Sequence, residues 1–79
     1  MVRIRVRWFA ALRERRGVGV EVLEVPDGTT LQAIYESSIP AGPEGRLRVG
    51  YARNLEHVDG GTIAADGDEI VFLPPLGGG

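Results

Sequence analysis

Glu69-Ile70-Val71-Phe72-Leu73-Pro74-Pro75-Leu76-Gly77-Gly78-Gly79 closes the chain, and its reading decides the fold. Residues 69–73 are a nearly continuous run of apolar strand formers, and a strand apolar on both sides belongs in the middle of a sheet. Pro74 and Pro75 fix φ and cannot donate to a ladder, so the strand stops there and the chain leaves in an extended direction. Gly77, Gly78 and Gly79 then remove every Cβ. What remains is a flexible thread thin enough to enter a narrow channel on another protein, led by the α-carboxylate of Gly79. A frayed terminus or a cloning scar has the same composition, so the choice rests on the body that precedes it.

That body is one domain, residues 1–73, with residues 74–79 as its functional tail. A chain of 79 residues buries about 60% of its unfolded surface, too little to enclose a large active site as well. The sequence has no cysteine, hence no disulfide, no thiolate ligand and no sulfur nucleophile. Any sulfur this chain handles arrives from outside. No apolar run approaches the roughly 18 residues of a membrane span, and the N-terminus enters a strand pattern rather than a signal peptide, so a cytoplasmic location without membrane attachment is expected.

Working back from the tail, Val2, Ile4, Val6 and Trp8 alternate with Arg3, Arg5 and Arg7, the period of a half-buried strand. Phe9-Ala10-Ala11-Leu12-Arg13-Glu14-Arg15-Arg16 is rich in helix formers, with Phe9 and Leu12 on one face and Gly17 as its stop. Val20, Val22, Leu23 and Val25 supply a second strand that pairs with the first and ends at Pro26-Asp27-Gly28. Thr29 or Thr30 caps a helix from Leu31 to about Ser38, whose Leu31, Ile34 and Tyr35 make a core-facing stripe across the sheet. Residues 39–45 form a Pro/Gly loop. Leu47, Val49 and Tyr51 mark a third strand ended by Asn54, and Glu56-His57-Val58 a short fourth. The expected fold is therefore α+β: a mixed sheet of four to five strands, one main crossing helix and one short N-terminal helix.

Charge is polarised along the chain. Residues 1–16 carry six arginines against Glu14, a net +5, and residues 54–79 carry five acids and no Lys or Arg, a net −5. If the first and last strands are neighbours, these blocks face each other and the overall field is mild. Arginines alternating on the wet face of a strand, with no basic loop or aromatic platform beside them, read as solvation rather than as a nucleic-acid site. All nine basic residues are arginine.

The internal side chains offer little chemistry. Asp66-Gly67-Asp68 begins like a calcium loop, but Ile70 and Phe72 stand where ligands are needed, which leaves a turn. His57 is the only histidine, so no two-His metal site and no Ser-His-Asp set can be built; no metal and no bound cofactor is expected. The glycines precede no Lys-Ser/Thr and open no helix, so they are not a phosphate cradle. The terminal carboxylate of Gly79 remains. A carboxylate is a poor electrophile, and an acyl-adenylate made from ATP is the obvious activation. Sulfide attack on it gives a thiocarboxylate and amine attack an isopeptide bond; the tail alone does not choose.

The Phe9-Ala10-Ala11-Leu12-Arg13-Glu14 segment, the Asp66-Gly67-Asp68-Glu69 turn into the last strand and the Pro74-Pro75-Leu76-Gly77-Gly78-Gly79 exit together resemble the small, sulfur-carrier subunit of molybdopterin synthase (MoaD type), within the ubiquitin-like β-grasp superfamily. The resemblance spans essentially the whole chain. It implies a non-catalytic, sulfur-carrying subunit of a sulfurtransferase complex in molybdenum cofactor biosynthesis. Gly79, preceded by Gly78, would be adenylated by a ubiquitin-activating-type partner (MoeB type) using MgATP. A sulfur donor such as a cysteine desulfurase or rhodanese would then convert it to a thiocarboxylate. Pro74, Pro75, Leu76 and Gly77 would thread into the large synthase subunit (MoaE type), where sulfur passes to a cyclic pyranopterin. The same body and tail also suit a sulfur carrier for thiamine, tRNA thiolation or cysteine synthesis, and a ubiquitin-like protein modifier. The segment at residues 9–14 favours molybdopterin.

Overall fold

The computed structural model describes residues 1–75. Five strands and two helices follow in the order β1 (Val2–Arg7), α1 (Ala10–Arg16), β2 (Val20–Val25), α2 (Leu31–Ser38), β3 (Gly50–Arg53), β4 (Glu56–Val58) and β5 (Glu69–Leu73). The sheet order is β2-β1-β5-β3-β4. β1 and β5 run parallel while the other neighbours are antiparallel. The last strand is thus the central one, as its doubly apolar sequence requires.

The core lies between one face of the sheet and α2. Ile4, Val6 and Trp8 from β1 and its end meet Ile70 and Phe72 of β5 and Leu31, Ile34 and Tyr35 of α2, with Leu12, Ile39 and Ala64 closing the sides. Phe72 is its centre: its ring stacks on Trp8 at 5.1 Å, tilts against Tyr35 at 5.4 Å and takes Tyr51 edge-on at 5.9 Å. Thr30 is the N-cap of α2, its Oγ1 accepting from the Ala33 amide, which removes one orphan donor of the first turn.

Two local expectations shift, at Phe9 and at the start of the third strand, and the structure assigns the faces of β2, which the sequence left open. Phe9 is not in the helix or the core. It is the N-cap residue, 48% exposed, because β1 parity sends Trp8 inward and Ala10, at φ 48°, turns the chain so sharply that the neighbouring ring is thrown out. In β2 the inward residues are Glu21, Leu23 and Val25, while Val20 and Val22 lie on the open face. The third strand starts at Gly50, later than Leu47. Arg46 holds the preceding segment against α2 by donating to the Ile39 and Glu36 carbonyls, and the Leu47 carbonyl accepts from Tyr35 Oη at 2.7 Å, so residues 46–49 serve the helix instead of the ladder.

Glu21 is tolerated on the inward face because both its oxygens are paired, which outweighs the cost of burial. Arg16 Nε and Nη2 donate to its two oxygens at 2.6 and 2.9 Å, and Trp8 Nε1 adds a bond of 2.7 Å. Arg16 Nη1 also reaches the Ser38 carbonyl. One carboxylate therefore ties β1, α1, β2 and the end of α2 together.

Arg16 holds the Glu21 carboxyl below the usual carboxylate range, Trp8 adding to the effect and burial opposing it. A carboxyl lowered in the folded state contributes its full stability above its unfolded value, about 4.3, and loses it as pH falls through the folded value. Glu21→Gln should lower stability at pH 7 by about 1.5–3 kcal/mol, and the gap to the unaltered protein should close below about pH 4; urea titrations across pH measure both. Phe72→Ala should cost about 3–5 kcal/mol, most of the stability of a domain this small, visible as loss of a cooperative thermal transition.

Candidate functional site

Every feature of the sheet converges on the exit of β5. The strand enters from the Asp66-Gly67-Asp68 turn, where Gly67 sits at φ 86°, a conformation that glycine adopts without a Cβ clash. Asp68 is buried and satisfied: its oxygens accept from Asn54 Nδ2 and the Ala65 amide. Asn54 in turn accepts from the Glu69 amide at 2.9 Å. This clamp joins the β3–β4 hairpin to the first residue of β5 and sets its register.

From there the residues alternate. Ile70 and Phe72 enter the core, while Glu69, Val71 and Leu73 take the open face. On that face Arg7 Nε meets Glu69 Oε2 at 3.0 Å, so the basic first strand and the acidic last one do neutralise each other. With Arg7 43% and Glu69 30% exposed, the pair is worth little energy. The backbone agrees: the Arg3 amide donates to Asp66 Oδ1, and the Arg5 amide to the Asp68 carbonyl.

The strand's last pair is Leu73 with Gly50. Pro74 follows, half-buried, and Pro75 is exposed; neither continues the ladder, as their missing donors dictate. Of the residues singled out for function, these two are the ones within the described part, and they emerge from the centre of the sheet. Leu76, Gly77, Gly78 and Gly79 lie outside the described residues.

The remaining candidates carry no catalytic geometry. His57 is exposed on β4 opposite Ala52. Asp66-Gly67-Asp68 is the turn just described, and no group of three His, Cys, Asp or Glu among the described residues is placed to hold a metal. Burial pushes the hydroxyl pKa of Tyr35 up, against the pull of Arg15 and Arg46, and pushes that of Tyr51 up with Glu36 and Tyr35 reinforcing it; both rings act as neutral packing. Among the described residues no helix is long and apolar enough to cross a membrane. Sequence reasoning missed the Asn54 clamp and the Glu21 knot. The first had a signal in Asn54 itself, a residue tolerant of φ 50°; the second, in one of two glutamates of a valine-rich strand, had none.

Comparison with known proteins accords with this architecture. The model of the ThiS family matches residues 6–79. A molybdopterin synthase sulfur carrier subunit from Arabidopsis thaliana is 35% identical over 81 residues, covering 99% of this chain and 84% of that protein. The subunit of the same name from Chlamydomonas reinhardtii is 34% identical, covering 99% of this chain and all of its own length. Among solved structures, the small archaeal modifier protein 1 of Methanosarcina acetivorans superposes with a TM-score of 0.69 at 25% identity, covering 100% of this chain and 98% of that one. A ubiquitin-like β-grasp body with its central strand aimed at a Pro-Pro exit, matched over nearly its full length, belongs to the ThiS family.

Proposed function

We propose that this chain is the sulfur-carrier subunit of a molybdopterin synthase. The observation that carries the reading is the likeness to curated subunits of that name across 99% of the chain, joined to a body whose central strand ends at Leu73, just before Pro74 and Pro75. The carboxylate of Gly79 attacks the α-phosphorus of MgATP on an adenylating partner, giving an acyl-adenylate and pyrophosphate. A sulfide equivalent from a sulfur donor then displaces AMP and leaves a thiocarboxylate. Glycine suits the step, since no side chain flanks the reacting carbonyl. Pro74, Pro75, Leu76 and Gly77 deliver the thiocarboxylate into the large subunit, where its sulfur bonds to a cyclic pyranopterin and water cleaves the acyl–sulfur bond, leaving the sulfur on the pterin and returning Gly79 to a carboxylate. The chain supplies no catalytic side chain; it binds and presents. ATP is consumed by the partner and not held here.

A second reading, a protein modifier, is favoured by the likeness to the archaeal modifier protein. The two differ in the nucleophile that meets the activated Gly79.

Two measurements separate them. Intact mass of the protein from its own cells should show a fraction with one oxygen-for-sulfur exchange, confined to the fragment ending at Gly79; amide-linked adducts on other proteins, with no thiocarboxylate, would favour the modifier. Deleting Gly79 should abolish sulfur transfer to the pterin while leaving the thermal transition of the body unchanged, and activity retained in that truncation would refute the carrier assignment.

A further inference from the structure

Aspartate followed by glycine is open to an uncatalysed rearrangement, because no Cβ on the second residue shields its backbone nitrogen. That nitrogen attacks Cγ of the protonated aspartate, the carboxyl hydroxyl leaves with the amide proton as water, and a five-membered succinimide closes. Water then opens the ring. Breaking the bond from nitrogen to Cγ restores aspartate; breaking the bond from nitrogen to the α-carbonyl carbon leaves the main chain running through Cβ and Cγ. This isoaspartyl product has the same mass and one extra main-chain carbon.

The chain holds three such pairs, Asp27-Gly28, Asp59-Gly60 and Asp66-Gly67, and the fold treats them differently. At Asp66 both reacting groups are occupied: Oδ1 accepts from the Arg3 amide at 2.8 Å, and the Gly67 amide donates to the Arg3 carbonyl at 2.8 Å. Ring closure there has to break the junction of β1 with the entry to β5. Asp27 and Gly28 are both exposed, in a turn closed by Thr29 on the Pro26 carbonyl, so rearrangement there displaces nothing buried. Asp59 is exposed as well. Among the described residues its carboxylate makes no hydrogen bond or ion pair, and the Gly60 amide donates to no acceptor. Both reacting groups are free.

Asp59-Gly60 is also the pair whose rearrangement reaches the core. A Cβ on Gly60 would stand 2.7 Å from the Tyr51 ring, and that ring meets Phe72 edge-on. The Gly60 carbonyl accepts from the Gln32 amide and the Thr62 carbonyl from the Leu31 amide, each at 2.9 Å. The turn thus serves two donors of the first turn of α2 that have no partner within the helix. One added main-chain carbon at residue 59 shifts Gly60 against the ring and the helix together.

We propose that Asp59-Gly60 is a modification site: this chain isomerises there as it ages, loosening the start of α2, and the product is a substrate for a carboxyl methyltransferase that uses S-adenosylmethionine. Such an enzyme moves the sulfonium methyl group onto the α-carboxylate that isomerisation leaves outside the main chain, releasing S-adenosylhomocysteine. The ester closes again to the succinimide with loss of methanol, and water returns part of it to aspartate.

The test uses the full chain, kept warm at neutral pH in heavy-oxygen water for weeks, beside the same chain unfolded in urea. Each ring opening leaves one heavy oxygen in the residue, which peptide mass spectrometry maps. An isoaspartyl methyltransferase with labelled S-adenosylmethionine counts the isoaspartyl product at each position. In urea the three pairs should react at similar rates. In the folded chain Asp59 should take up label at least about tenfold faster than Asp66, the factor that a single hydrogen bond contributes. The isoaspartyl-59 form, separated by chromatography, should unfold at a lower temperature than the unaltered protein. Asp59→Glu, which cannot close a five-membered ring, should lose the methyl acceptance that maps to position 59. Label at Asp66 as fast as at Asp59 in the folded chain, no isoaspartate at position 59, or an isoaspartyl-59 form that melts with the unaltered protein would each overturn the proposal.

Discussion

The burial of Phe72 is the constraint on which the rest of the structure depends. A central strand must satisfy neighbours on both edges and both faces, and Phe72 does this with three aromatic partners from three different elements: Trp8 at the end of β1, Tyr35 on α2 and Tyr51 on β3. Its burial forces β5 between β1 and β3, forces α2 to cross on that side, and leaves the two residues after Leu73 no place in the ladder. Even the connection from β4 back to β5 is shaped by it. Gly60 lies where a Cβ would stand 2.7 Å from the Tyr51 ring, so the chain passes against the aromatic cluster at a point where only glycine fits.

A second constraint concerns the far end of α2. The helix carries no basic residue in its last turn, yet its terminal carbonyls need donors and its dipole needs positive charge. These arrive from elsewhere in the chain: Arg46 at Glu36 and Ile39, Arg16 at Ser38, Arg15 at Pro40. Arg16 reaches there only because Glu21 holds it by a two-point grip. The loop at residues 39–49 is long and lacks regular strand, but it is anchored by guanidinium groups at both ends of its first half. Helix termination and loop placement are here one interaction.

This division explains what could be read in advance. The strand alternation of β1, the Thr30 cap, the stripe of α2, the turn at Gly28 and the central place of β5 all rest on local periodicity and turn chemistry, and all were legible in the residues. The position of Phe9, the inward face of β2 and the start of β3 depend on partners far along the chain: on Trp8 taking the core site, on Arg16 and Trp8 accepting Glu21, and on Arg46 claiming α2. Periodicity in β2 was ambiguous, since valines occupy both faces, and only the pairing of Glu21 breaks the tie. Of the tail, only the exit from the ladder at Pro74 and Pro75 lies within the described residues, and it was legible from their missing donors.

The parallel pairing of β1 and β5 gives this arrangement its functional direction. An antiparallel neighbour would have brought the chain's beginning and end to one pole. Parallel pairing separates them by the length of the sheet, and it brings the basic opening against the acidic close, where Arg7 meets Glu69 and the Asp66 carboxylate accepts from the Arg3 amide. The same register that neutralises the charge polarity of the sequence thus leaves the exit pole to Pro74 and Pro75. A central strand with a fixed pole thus sets the direction in which the chain leaves the body at Pro74.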